Sequence, residues 1–103
     1  MSSEQLRLTR EEIPHHECRL KGYDLHTGAD LCIGWDQGPL HPITGFSVRK
    51  TFLFRTEDGI YYAMIHVPGL PDEFELLTRN QALHLWRRLP EQLAGEAKAF
   101  QQV

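Results

Sequence analysis

Six histidines and two cysteines are the side chains here best suited to chemistry, and His15-His16-Glu17-Cys18 with Cys32 and His41 gathers most of them in the N-terminal half. Imidazole and thiolate are favoured ligands of Zn²⁺. The spacing argues against such a site, because no C-x-x-C or H-x-x-x-H pair occurs and strand alternation would scatter the ligands. A small metal-dependent enzyme built on His15, His16, Cys18 and Cys32 therefore stands as an alternative reading only. No metal ligand or cofactor is assigned.

Nucleophilic catalysis is also poorly served. Serine occurs only at Ser2, Ser3 and Ser47, and Gly45-Phe46-Ser47-Val48-Arg49 lacks the second glycine of a nucleophile elbow. Cys32 and His41 have no evident third group to orient them. Asp24, Asp30 and Asp36 fit turn-capping positions better than a catalytic carboxylate pair. Neither G-x-G-x-x-G nor a Gly-Lys-Ser/Thr run is present, so both standard phosphate-binding loops are absent. The chemistry points to a non-enzymatic protein with no catalytic residue.

The elements that would position these groups follow from the pattern. Met1 to Pro14 carries charge without an apolar face and reads as a loose arm before a single domain, residues 15–103. Glu17–Asp24 and Asp30–Asp36 read as two strands turning at Thr27-Gly28, which would place Cys18 near Asp36 and Cys32 near Gly22, leaving two reduced thiols. In the second of these strands, Leu31, Ile33 and Trp35 share one face. After a loop fixed by Pro39 and Pro42, Phe46–Thr56 and Ile60–Val67 flank Glu57-Asp58-Gly59 as a long ribbon, pairing Phe54 with Tyr62 and Phe52 with Met64. Residues 72–77 form an acidic connector able to add an edge strand.

Thr78-Arg79-Asn80-Gln81 has the form of a capping box, and Ala82, Leu85, Trp86 and Leu89 recur as one helical stripe. Pro90 suits the first turn of a second helical segment carrying Leu93, Ala97 and Phe100 to about Gln101. The expected fold is α+β: a four-stranded, mainly antiparallel meander with a C-terminal helical segment packed on one face.

Composition sets the outer limits. The chain is 103 residues with a net charge of -3, 41% hydrophobic and 24% charged, which excludes a collagenous or disordered class and offers phosphate backbones no general attraction. No apolar run approaches the ~20 residues of a membrane span, and the N-terminus lacks the apolar core of a secretory signal. The expected location is the cytoplasm, with no membrane partner.

The ribbon carries the functional expectation. Phe52, Phe54, Tyr62 and Met64 fall on one face, and Thr51, Leu53, Tyr61, Ala63, Ile65 and Val67 on the other, so both are apolar. One helical layer covers one face of an antiparallel sheet. The other then coils on itself, meets the arm, or binds a partner. The expected role is a protein-interaction module, a homodimer or a holder of another protein, whose contact residues are Arg49, Leu53, Arg55, Tyr61, Ile65 and Val67. A nucleic-acid-associated regulator using Arg49, Arg55, Arg87 and Arg88 is a further alternative, weakened because Phe52 and Phe54 alternate onto the face opposite Arg49 and Arg55.

Overall fold

The computed structural model describes residues 13–39, 41–45 and 48–101. Strands β1 (Glu17–Leu20) and β2 (Tyr23–His26) form a separate antiparallel hairpin. Strands β3 (Leu31–Gln37), β4 (Lys50–Arg55), β5 (Tyr61–His66), β6 (Glu73–Leu77) and β7 (Glu91–Gln92) make a five-stranded antiparallel sheet in the order β6-β5-β4-β3-β7. Helix α1 (Arg79–Arg88) follows β6, and the one-turn α2 (Glu96–Ala99) follows β7. The class is α+β, and the four-strand meander runs from β3 to β6, one element later than the sequence suggests.

The central ribbon has the expected register. Phe54 pairs with Tyr62 and Phe52 with Met64, while Thr56 N–H donates to the Ile60 carbonyl and Gly59 takes the left-handed conformation at φ 85°. The connector at 72–77 supplies edge strand β6. The capping box forms as well: Gln81 N–H donates to the Thr78 hydroxyl, and Thr78 N–H to the Gln81 side-chain oxygen. No helix among the described residues is long and apolar enough to cross a membrane.

The first hairpin differs. Lys21 and Gly22 both have positive φ, 51° and 86°, and close a two-residue turn within the segment expected to be one strand. Positive φ at both central residues matches the strand twist in such turns. Cys18 consequently pairs with Leu25, Cys32 pairs with Phe54, and both cysteines are free. Thr27-Gly28 instead carries the chain from β2 to β3. Phe46 and Ser47, expected to open β4, lie outside the described residues.

Strand β3 contains a second departure. Its register with β4 steps from Cys32↔Phe54 to Gly34↔Leu53, leaving Ile33 as an extra residue. An inserted residue shifts the phase of side-chain alternation. Leu31 and Ile33 therefore pack on the helical side while Trp35 packs with Phe52 on the opposite side, against the expectation that all three share a face. The Ile33 carbonyl, displaced from the β4 ladder, accepts from Trp86 Nε1 at 3.1 Å and from Leu93 N–H at 3.0 Å. Those bonds explain why no second long helix starts at Pro90. The backbone after it pairs with β3, α2 spans four residues, and Leu93 and Ala97 are exposed while Phe100 is buried.

Both faces of the sheet are covered within one chain. On one side Ile33, Leu53 and Tyr61 pack with Ala82, Trp86, Leu89, Ala99 and Phe100. Phe100 stacks on Tyr61 with centroids 5.2 Å apart and meets Trp86 edge-on at 5.6 Å. On the other, Trp35, Phe52, Phe54, Tyr62 and Met64 lie under Leu25 and Ile13, with Cys18 and Leu20 at the margin. Ile13, at the end of the expected arm, thus belongs to the core; residues 1–12 lie outside the described residues. The β1–β2 hairpin suits this covering role because Glu17, Arg19, Asp24 and His26 all alternate onto its outer face.

Candidate functional site

The covering of both faces divides the six expected contact residues. Leu53 is 0% exposed and Tyr61 4%, both beneath the helices, and Tyr61 Oη donates to the Ala99 carbonyl. Arg55 is 8% exposed and donates through Nη2 to the Gln101 carbonyl. These three belong to the interior because α1, α2 and Phe100 together shield more of the sheet than a helical stripe alone implies. Ile65 and Val67 remain half-buried, and Arg49 is exposed.

Those last three lie at one end of the sheet, where β3 passes to β4 and β5 passes to β6. Two shaped loops project there. In the first, Gly38 N–H donates to the Arg49 carbonyl and Val48 N–H to the Pro39 carbonyl, extending the β3–β4 ladder outward. Gly38 fits because a Cβ would sit 2.8 Å from the Arg49 carbonyl oxygen. At the tip, His41 Nδ1 accepts from Ile43 and Thr44 N–H, and Gly45 N–H closes the turn onto the His41 carbonyl. Ile43 is left 88% exposed. The second loop is a Pro68-Gly69 turn closed by Leu70 N–H to the Val67 carbonyl, with Gly69 at φ 83°. Proline followed by glycine presets the type II geometry. It presents Leu70 at 62% exposure.

The base of the second loop is tied down by a shared carboxylate. Asp72 Oδ1 meets His66 Nδ1 at 2.6 Å, and Asp72 Oδ2 meets His16 Nε2 at 2.6 Å, with the Asp72 side chain only 6% exposed. The His16 ring also stands edge-on to Phe74. This joins the N-terminal segment to the β5–β6 loop. Charge-assisted hydrogen bonds of this kind are short and directional.

Among the described residues, the chemical alternatives find no assembled site. Among the described residues, no group of three His, Cys, Asp or Glu is arranged to hold a metal ion. His16 is engaged with Asp72, and Cys32 Sγ lies 3.5 Å from the Gly34 carbonyl, with burial pushing its thiol up to about 12. A protonated thiol is a poor nucleophile and ligand. The cations proposed for nucleic acid are likewise dispersed: Arg49 is at the loop end, Arg55 is buried, and Arg87 reaches Glu96 at 3.5 Å on the helical side.

Among the described residues of the loop end, Ile43, Val48 and Leu70 are the most exposed large apolar side chains, and periodicity marks neither Ile43 nor Leu70. Their only sequence signal is a large aliphatic residue set among turn formers, as in Pro68-Gly69-Leu70-Pro71 and His41-Pro42-Ile43-Thr44-Gly45. No family model, curated protein or solved structure matches the chain.

Proposed function

We propose that this protein is a non-enzymatic interaction module whose contact surface is the loop end of the sheet, and that its occupant is a second copy of the chain. The observation carrying this reading is the pair of hydrogen-bonded turns that hold Ile43 and Leu70 out into solvent, with Val48 at 39% exposure at the base of the first. Apolar tips on preorganised loops lose little conformational entropy on association. Ile65 and Val67 continue this surface onto the sheet.

The surrounding charges favour self-pairing. Lys50 opens β4 with Arg49 just before it, while Glu73, paired with Ile65, and Glu75 lie on the neighbouring edge strand. In an isologous pairing residue i of one copy meets residue j of the other and j meets i, so a cationic and an acidic cluster on one patch can pair twice. Light scattering across a micromolar concentration series tests it. The expected result is twice the 11.9 kDa chain mass at the upper end, reverting to one chain mass in the Ile43→Asp, Leu70→Asp double variant with its melting temperature retained. A single-chain mass throughout would overturn the reading.

A further inference from the structure

The opposite end of the sheet, away from the loop surface, holds a cation whose surroundings are unusual. Arg55 is 8% exposed, yet no carboxylate of the described residues lies within ion-pair distance of it, and its Nε has no hydrogen-bond partner. Its described polar partner is the Gln101 carbonyl. A guanidinium removed from water without a counter-charge is costly. Most buried arginines meet a carboxylate.

Arg55 borders a cleft of ≈ 600 Å³ whose wall also includes Lys98, Asp30, Glu57, Ala29 and Leu31. The two cations and two carboxylates balance. Asp30 is held in place by Tyr62 Oη at 2.7 Å and by His26 N–H at 2.9 Å, which fixes one side of the cleft, and the bond from Arg55 to the Gln101 carbonyl fixes the other. Ala29 and Leu31 add apolar surface.

We propose that this cleft binds a small zwitterion of the α-amino-acid class, its carboxylate taken by Arg55 and Lys98, its ammonium by Asp30 and Glu57, and its aliphatic side chain against Leu31. The planar fork of arginine matches a carboxylate, which supplies at ion-pair distance the counter-charge that no described residue places there. A multiply charged phosphate would face two carboxylates in the same space and is disfavoured by like-charge repulsion. The site is independent of self-association at the loop end.

The test is a titration of the intact protein with L-leucine, acetate and inorganic phosphate, read by the ¹H–¹⁵N resonance of Arg55 Nε. L-leucine is expected to move that resonance saturably at millimolar concentration, with acetate about tenfold weaker for want of the ammonium contact. Lys98→Ala, an exposed change, should weaken L-leucine severalfold without altering the fold, and Arg55→Lys should remove saturation while far-ultraviolet dichroism is retained. No saturable shift with L-leucine, acetate or phosphate overturns the proposal. So does equal binding of acetate or phosphate, which marks a generic anion site, or full retention of binding by both variants.

Discussion

Replacing Leu53 by alanine separates a core reading of the helical face from an interface reading. Leu53 is 0% exposed and packs in the cluster that holds Ile33, Tyr61, Trp86 and Leu89. Removing a fully buried leucine side chain forfeits its transfer free energy and leaves a cavity, for a cost of about 2–5 kcal/mol. A domain of this size has about 5–15 kcal/mol in total, so the loss is a large share. With a urea slope of about 1–3 kcal/mol/M, the midpoint should fall by roughly 1–5 M. Trp35 and Trp86, at 3% and 7% exposure, report the transition by fluorescence on both sides of the sheet together. The matched control is Ile65→Ala at the half-buried loop end, expected to cost under about 1 kcal/mol. A Leu53→Ala protein with an unchanged midpoint but impaired self-association would refute the burial argument.

Two further outcomes follow from particular contacts. Gly34→Ala should destabilise by about 1–3 kcal/mol, because the new Cβ would lie 2.8 Å from Leu89 Cδ1 and 3.2 Å from the Glu91 carbonyl; an unchanged melting temperature would show that the packing is looser than this. Alkaline titration should lower stability. Burial raises the Cys32 thiol to about 12, and burial with the Asp30 hydrogen bond raises the Tyr62 phenol, so the folded state holds protons that the unfolded chain releases. Stability is then fully present below the unfolded thiol value of about 8.5 and declines toward about pH 12 by up to about 1.4 kcal/mol per unit from the thiol, Tyr62 adding to it above about pH 10. Denaturant midpoints that stay constant from about pH 8 to pH 10 would contradict this.

The parts of the fold legible in the sequence are those governed by neighbours along the chain. The Glu57-Asp58-Gly59 turn sets the β4–β5 register, and Thr78 with Gln81 sets the start of α1. The bulge at Ile33 is not legible, because what sustains it is Trp86 Nε1 and Leu93 N–H, more than fifty residues away. The turn at Lys21-Gly22 escapes notice because lysine seldom takes a positive φ. Both ribbon faces read as apolar, but which cover each receives depends on a hairpin whose polar outer face only becomes apparent once that turn is placed. The His16–Asp72–His66 clamp ties the N-terminal segment to the two ends of the β5–β6 loop, and the long stretch of chain between His16 and His66 leaves it no local signature.

Attenuation of side-chain resonances by a soluble paramagnetic agent, in a sample dilute enough to be monomeric, measures the division between inside and outside most directly. Leu53, Tyr61 and Leu25 are expected to keep their intensity while Ile43 and Leu70 are quenched, with Ile65 and Val67 between them. Leu53 and Tyr61 quenched as strongly as Ile43 would contradict this, because the helical face would then be open and the partner surface would lie there.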